Sequence, residues 1–157
     1  MREPMLEIRQ TKEKGRGVFA LEDIVQGRKI LVFQGHVLKT LDLTDDLLAM
    51  QIDHDLWLCS DGSLLDDCVN HSCEPNSGFL HGDPSLYALR DIAADEEICW
   101  DYSTSIADPG WKLDCRCGSP RCRGVVLPWG ELEHPVQERL RPIALSYLRG
   151  NGRKPLS

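Results

Sequence analysis

Three cysteines lie close together in the last third of the chain, with the spacing C-x-C-x4-C. They are Cys115, Cys117 and Cys122, and Gly118 and Pro120 between them favour a tight turn. Three thiolates on one turn suit a tetrahedral zinc ion, with one ligand still to come from elsewhere. A disulfide or inert thiols are the alternative, but seven cysteines cannot all pair within one molecule. The spacing therefore predicts a zinc site.

A second segment that could do chemistry is the run Asn70-His71-Ser72-Cys73-Glu74-Pro75-Asn76. It places two amides, an imidazole and a thiol close together, and its proline keeps the loop from becoming a helix. Alone, the run could be a polar turn that its Asn and Ser side chains stabilise. It does not stand alone, because Lys14-Gly15-Arg16-Gly17 lies upstream and Glu96-Glu97-Ile98-Cys99-Trp100-Asp101-Tyr102 lies downstream.

Short strands separated by glycines are the elements that must position these segments. Apolar runs bounded by Gly, Pro and Asp predict strands over residues 5–10, 17–20, 29–33, 56–59 and 97–101. A hairpin is predicted between residues 77–81 and 86–89, across Gly82-Asp83-Pro84. The sequence therefore predicts a β-rich domain of many short strands.

Little helix is predicted. Thr44, followed by two aspartates, is typical of a helix N-cap. The buried side of that helix would consist of Leu47, Leu48 and Met50. Near the end of the chain, Pro135 and apolar residues at helical spacing predict two short helices, or one kinked at Pro142. Residues 150–157 are expected to be frayed.

Charge is unevenly distributed along a chain whose net charge is −7. Residues 40–89 contain ten acidic residues and no Lys or Arg, whereas residues 111–157 contain nine basic and four acidic residues. An acidic chain of this kind does not favour direct nucleic-acid binding. The acidic stretch is either a solvated face or a field that attracts a basic partner such as a Lys/Arg-rich peptide.

The size and hydropathy of the chain exclude other classes. A chain of 157 residues has the length of one domain, and folding at this size buries roughly two-thirds of its surface. No apolar run approaches the ~18 residues of a membrane span, and the first residues lack the apolar region of a signal peptide. We therefore expect a soluble, intracellular protein, cytoplasmic if bacterial, without a membrane partner.

Taken together, these segments resemble the SET-domain protein-lysine methyltransferases over roughly residues 5–125. The matching pieces occur in the family's order: 15–20, 70–76, 88–92, 96–98 with 101–102, and 115–124. The compact form is similar to small stand-alone bacterial members with a post-SET zinc segment. The resemblance implies several short-stranded sheets with a threaded, pseudoknot-like C-terminal segment and short C-terminal helices. It divides the chain into a SET core (4–106), a post-SET zinc-binding segment (107–127) and a C-terminal helical extension (128–157).

The resemblance also implies a cofactor site for S-adenosyl-L-methionine. The backbone of Gly15, Arg16 and Gly17 would embrace the methionine part of the cofactor, where glycine permits close approach. Asn70 and His71 would hold its amino-acid and adenosine parts. A plain turn at the glycines and a satisfied loop histidine are the alternatives.

The resemblance assigns catalysis to Tyr102, which would also contact the cofactor. Its hydroxyl would orient the lone pair of a neutral lysine amine for an in-line methyl transfer. Trp100 stands where the family often has Phe or Tyr and where the number of added methyl groups is tuned. Because Trp lacks a hydroxyl, it favours the addition of more methyl groups. Its bulk narrows the channel, which favours the addition of fewer. Tyr87 is a further candidate for the lysine channel.

The fourth zinc ligand implied by the resemblance is Cys73, which lies 42 residues before Cys115. The zinc would be structural, since four thiolates leave no open position for chemistry. Cys68 is the rival ligand. Together with Cys59 and Cys99, it is otherwise expected to be buried as a small hydrophobic residue.

The expected function is therefore methyl transfer to a lysine of a basic protein or peptide, histone-like or other, with S-adenosyl-L-methionine and one structural zinc. Two competing classes are a catalytically inactive SET-like zinc-binding interaction module and a redox-sensing thiol protein. Retention of the glycines, Asn70, His71 and Tyr102 together speaks against the first. C-x-C-x4-C matches no C-x-x-C redox pair, which speaks against the second. The oligomeric state, the substrate and the methylation state are left open.

Overall fold

Residues 2–150 are described by a computed structural model. They form twelve strands of two to six residues, two short α-helices and several 3-10 turns. The strands are β1 (Leu6–Gln10), β2 (Arg16–Ala20), β3 (Lys29–Val32), β4 (His36–Lys39), β5 (Leu48–Asp53), β6 (Leu56–Ser60), β7 (Asn70–His71), β8 (Ser77–Gly78), β9 (Ser85–Ala88), β10 (Glu97–Trp100), β11 (Leu113–Asp114) and β12 (Val125–Val126). The helices are α1 (His134–Leu140) and α2 (Ser146–Arg149). The predicted mostly-β class is confirmed.

The central sheet has the strand order β1-β2-β10-β7. Strand β10 lies between β2, to which it is antiparallel, and β7, to which it is parallel. The parallel pairing sets Cys99 opposite Asn70 and Trp100 opposite His71. Segments far apart in sequence are therefore neighbours in one sheet, because β10 lies between two strands, β2 and β7, that precede it by many residues.

The main core lies under this sheet and the sheet β3-β9-β8. Fully buried apolar side chains from both sheets and the loop after β8 pack together, and burying each contributes about 1.5–3 kcal/mol. They include Val18, Ile30, Phe79, Leu86 and Ile98. The predicted hairpin is confirmed in a shorter form, since β8 and β9 pair antiparallel with Gly78 opposite Tyr87.

A third sheet, β4-β6-β5, takes two of its strands from the acidic part of the chain and corrects one prediction. No helix begins at Thr44; residues 44–47 form a turn and β5 follows from Leu48. Met50 pairs with Leu58 and Gln51 with Trp57 across β6. Strand pairing overrides the N-cap signal, because the backbone of this segment forms antiparallel hydrogen bonds with β6.

The C-terminal segment has two short helices, as predicted, separated by a 3-10 turn that contains Pro142. Its apolar residues form a second core around Trp129 and Leu140. Backbone hydrogen bonds fasten it to the rest of the domain, from Phe79 N–H to the Ile143 carbonyl (3.0 Å) and from Leu145 N–H to the Thr104 carbonyl (2.9 Å).

Gly150 forms a left-handed helix end, whereas the fraying predicted beyond it falls on residues 151–157, outside the described residues. Neither of the helices found between residues 2 and 150 has the length and apolar character needed to cross a membrane.

Candidate functional site

The four cysteines predicted as zinc ligands come together in space. The sulfur of Cys115 lies 3.7 Å from that of Cys73 and 3.7 Å from that of Cys122, and Cys117 completes a group whose sulfurs all lie within 4.8 Å of one another. A tetrahedral zinc ion with Zn–S bonds of about 2.3 Å requires neighbouring sulfurs about 3.8 Å apart. The spacing therefore fits one structural zinc ion held by four thiolates.

Local structure explains how these ligands converge. Cys73 follows β7, and the other three lie in the loop that β11 and β12 close as a small antiparallel hairpin. The backbone N–H of Arg123 points at the Cys73 sulfur, at 3.4 Å, as suits a thiolate. Cys68, the rival ligand, is instead buried in the main core. Cys59 and Cys99 are also buried, as expected.

The predicted cofactor loop lies beside β7. Gly15 has a φ of +70° and open space where a Cβ would stand, so its backbone is accessible and its conformation favours glycine. At Gly17 a Cβ would meet the Glu97 carboxylate at 2.7 Å and the Asn70 amide at 3.2 Å. The Asn70 amide donates to the Arg16 carbonyl at 2.9 Å. The loop and the Asn-His pair, predicted to act together, are thus in direct contact.

His71 connects the metal site to Tyr102. Its Nδ1 accepts the Tyr102 backbone N–H at 3.0 Å, so the ring proton is on Nε2, which faces the Cys73 sulfur at 3.4 Å. Burial lowers the pKa of this imidazole to about 4, although Asp101 partly opposes the shift, so the ring is neutral. Because both ring nitrogens are engaged, contact with a cofactor falls to the backbone or the ring carbons of His71.

Tyr102 follows β10 after one residue, Asp101, and begins a 3-10 turn. Its hydroxyl donates to the Val69 carbonyl at 2.8 Å, and its ring packs against those of His71 and Trp100. Burial raises the pKa of this phenol above its ordinary value, so the hydroxyl is neutral at physiological pH. With its proton committed to Val69, the oxygen presents lone pairs to an approaching group.

A cavity of about 210 Å³ has Tyr102 in its wall. Its walls are mostly apolar, with Asp66 and Asp67 among the polar residues. Its lining residues are Phe33, Gln34, Leu48, Ala49, Met50, Gln51, Leu58, Asp66, Asp67, Val69, Trp100, Tyr102, Ser105, Ile106 and Trp111. Such a cavity could take the aliphatic part of a long side chain.

Of the two residues predicted for the channel, Trp100 lines this cavity and Tyr87 does not. Trp100 packs edge-on against Phe33 and Phe79, and its buried indole N–H has no hydrogen-bond partner among residues 2–150. Tyr87 lies on β9, where its ring contacts that of His81 with centroids 4.5 Å apart.

Sequence reasoning missed a buried ion pair beside Tyr102. The guanidinium of Arg123 donates two hydrogen bonds to the Asp101 carboxylate, at 2.8 and 2.9 Å, and the Asp101 side chain is fully buried. The available signal was a charged residue between Trp100 and Tyr102 in a predicted strand, since a buried carboxylate requires a partner. The pair fastens the cysteine-rich segment to the end of β10.

Sequence reasoning also missed an ion pair between Lys14 and Glu97. Lys14 lies in the predicted cofactor loop and Glu97 on β10, and their charged groups are 3.1 Å apart. Both belong to motifs quoted above, but nothing in the spacing indicates that their side chains meet.

Comparison with known proteins gives one family and many relatives. The family model "SET domain" matches residues 15–103. The chain is 33% identical over 140 residues to "Histone-lysine N-methyltransferase ash1" of Drosophila melanogaster, which covers 78% of this chain and 6% of that protein. It is 32% identical over 127 residues to "Histone-lysine N-methyltransferase 2B" of Homo sapiens, covering 69% and 5%. The chain thus spans only a small part of these relatives.

Solved structures share the fold. KRYPTONITE in complex with mCHH DNA, an H3(1-15) peptide and SAH has a TM-score of 0.62 at 27% identity, covering 80% of this chain and 30% of that one. The methyltransferase domain of human SETMAR has a TM-score of 0.59 at 23% identity, covering 80% and 59%, and supports the fold alone.

Proposed function

The chain belongs to the SET-domain family, and from that premise we propose that it transfers a methyl group from S-adenosyl-L-methionine to a lysine side chain of a protein or peptide. One observation supports the proposal: Tyr102 is in contact with a predicted cofactor residue and also lines the apolar cavity. Its ring packs against that of His71, and Tyr102 is part of the cavity wall. We also propose that the chain is divided as the sequence predicts, with 4–106 as core, 107–127 as zinc segment and 128–157 as extension.

Gly15, Arg16, Gly17, Asn70 and His71 would hold the cofactor, with Tyr102 at its reactive end. The cofactor supplies a methyl group on a positively charged sulfur, ready for an in-line displacement. The accessible Gly15 backbone supports this fit.

The cavity must accept a lysine side chain and favour its neutral form. Free lysine has a pKa near 10.4, so only about one amine in 10³ to 10⁴ is neutral at pH 7. Apolar walls lower that pKa because they disfavour the charged form. Carboxylates such as Asp67 attract the cationic side chain from solution, and because they favour its charged form the apolar walls must outweigh them. The Tyr102 oxygen then accepts an amine N–H and aligns the lone pair.

The substrate that we propose is a basic protein or peptide, histone-like or other. Residues 40–89 carry ten acidic and no Lys or Arg residues, and strands β5 and β6 and part of the cavity wall, including Asp66 and Asp67, belong to this stretch. A net charge of −7 favours a basic protein over nucleic acid as the direct partner. The cysteine set, free of disulfides within residues 2–150, fits a reducing intracellular location.

The test is methyl transfer from radiolabelled S-adenosyl-L-methionine to histones and to a cell lysate. Wild-type protein should label at least one protein, and Tyr102→Phe should reduce labelling by about 10²-fold or more while S-adenosylhomocysteine affinity is unchanged. Near-wild-type turnover of Tyr102→Phe would refute the role of Tyr102. Absence of both labelling and cofactor binding by wild type would refute the enzyme and favour an inactive zinc-binding module.

A further inference from the structure

Gln51 is a buried polar residue on β5 to which no role has been assigned so far. It is 3% exposed and lines the proposed lysine cavity. Its side-chain oxygen accepts the backbone N–H groups of Ala107 at 2.7 Å and Asp108 at 2.9 Å. Its side-chain nitrogen donates to the carbonyls of Asp53 at 3.1 Å and His54 at 3.3 Å. A primary amide can accept two hydrogen bonds and donate two, so this amide is fully engaged within the protein.

These bonds connect two parts of the cavity wall. Four residues of β5 form one part, and Ser105 and Ile106 belong to another. The backbone carbonyl of Gln51 also accepts the Ser105 hydroxyl at 2.5 Å. Gln51 therefore holds residues 104–108, which we call the wall segment, against β5. The Tyr102 carbonyl accepts the backbone N–H groups of Ser105 and Ile106, so the wall segment is also tied to the residue that carries the reactive hydroxyl.

The C-terminal part of the chain holds the same segment. Beyond Thr104 the wall segment has neither helix nor strand, so its buried backbone groups depend on partners elsewhere. Three successive carbonyls accept hydrogen bonds from the region 129–147: Thr104 from the Leu145 N–H at 2.9 Å, Ser105 from the Tyr147 hydroxyl, and Ile106 from the Trp129 N–H at 2.8 Å. The family model ends at residue 103, so the wall segment and these three partners lie outside the part that it matches.

Gln51 and Tyr147 are joined through His54, which lies between β5 and β6. The His54 carbonyl accepts a hydrogen bond from the Gln51 amide, and its ring lies edge-on to that of Tyr147 with centroids 5.1 Å apart. Two side chains from distant parts of the sequence therefore hold the wall segment and also contact each other's neighbour. We expect them to act as one unit.

We propose that Gln51 and Tyr147 are positioning residues for the lysine substrate, an inference that rests on the function proposed above. They act through the wall segment, whose distance from β5 sets the width of the cavity. A wall held at a fixed distance packs on the aliphatic part of a lysine, whereas a wall free to move loses that packing. The hydrogen bonds of the Gln51 amide go to the wall segment and the end of β5, not to the predicted cofactor residues.

The experiment compares the KM for the methyl acceptor with the KM for the cofactor, on the full chain. The acceptor is the histone or lysate protein that wild type labels. Gln51→Met leaves two backbone N–H groups unpaired and should raise the acceptor KM by about fivefold or more. Tyr147→Phe removes a single hydrogen bond and should raise it by about two- to fivefold. The KM for S-adenosyl-L-methionine and the affinity for S-adenosylhomocysteine should stay within about twofold in both variants.

Gln26→Met is the matched control, because Gln26 is exposed and lies outside the cavity wall, and it should change neither KM. The double variant of Gln51→Met and Tyr147→Phe should raise the acceptor KM by less than the product of the two single effects, because both residues hold the same segment. If Gln51→Met does not fold, Tyr147→Phe alone decides the test.

A merely structural role would lower the fraction of active protein, and with it the apparent kcat, without changing the acceptor KM. That result would overturn the proposal, as would a cofactor KM that rises in parallel or single effects that multiply in the double variant. Absence of both labelling and cofactor binding by wild type would instead refute the proposed function.

Discussion

At the scale of single residues, the cysteine-rich segment contributes one buried ion pair and one exposed ion pair. Asp101 is fully buried and depends on Arg123, whereas Arg121, two residues earlier, has an exposed side chain 3.6 Å from Glu74. The two arginines belong to the same cysteine-rich segment but differ in burial. They therefore offer a matched pair for measuring what the buried ion pair contributes.

We predict that Arg123→Met lowers the free energy of unfolding by about 3–5 kcal/mol, because it leaves a buried carboxylate unpaired. Arg121→Met should cost less than about 1 kcal/mol, as expected of an exposed pair. Urea denaturation of both variants measures the difference, and adding Asp101→Asn to Arg123→Met should recover part of the loss. Similar costs for the two arginines would contradict a stabilising role of the Asp101 pair.

At the scale of elements, the cysteine site holds together two segments that have little regular structure. The hairpin β11-β12 pairs only two residues per strand, and the loop between its strands carries three of the four ligands. Short hairpins are marginal alone. The shape of this segment therefore depends on metal binding, which stabilises it as it forms.

Cys117→Ser should release the zinc and lower the melting temperature, by about 2–4 °C for each kcal/mol of stability lost. Metal content by mass spectrometry and thermal unfolding measure the two effects together. Cys99→Ser is the control, because Cys99 lies on β10 beside Lys14 and not in the cluster. Unchanged metal content in Cys117→Ser would refute the site.

At the scale of the whole molecule, ion pairs tie the N-terminal segment to the loop that follows β2. Glu22 pairs with Arg2 at 2.8 Å and with Arg28 at 3.3 Å, and accepts the Met5 backbone N–H at 3.0 Å. The hydrogen bond from Arg2, and next the one from Met5, lower the pKa of Glu22 from 4.5 to about 2. The folded state therefore binds the proton of Glu22 less readily than the unfolded chain does.

A lowered folded-state pKa contributes stability that is fully present above pH 4.5 and is lost as the pH falls toward 2. Glu22→Gln should therefore destabilise the protein at pH 6 and flatten the fall in stability between pH 4.5 and 2. Glu13→Gln, at a residue without an ion pair in the described part of the chain, serves as the control. The same dependence of the free energy of unfolding on pH in wild type and in Glu22→Gln would contradict the prediction.

Most of the strands and the composition of the metal site could be predicted from the sequence. Short apolar runs between glycines indicate strands because their signals are local. The prediction of a helix at Thr44 was wrong for the same reason. An N-cap pattern is also local and carries no information about pairing with β6. The boundaries at β8 and β10 shifted by one or more residues because neighbouring strands decide where pairing ends.

The sequence by itself determined which residue types carry the chemistry: three thiols on one turn, an amide next to an imidazole, and a tyrosine after an acidic strand. Only the tertiary structure decided which side chains they meet. The pairs Arg123–Asp101 and Glu97–Asn70 join residues more than twenty positions apart. The Glu97–Asn70 contact is set by the order β1-β2-β10-β7, because the position of a strand in a sheet depends on packing against the whole core and not on local spacing. The Arg123–Asp101 pair is set by where the loop between β11 and β12 packs against the end of β10.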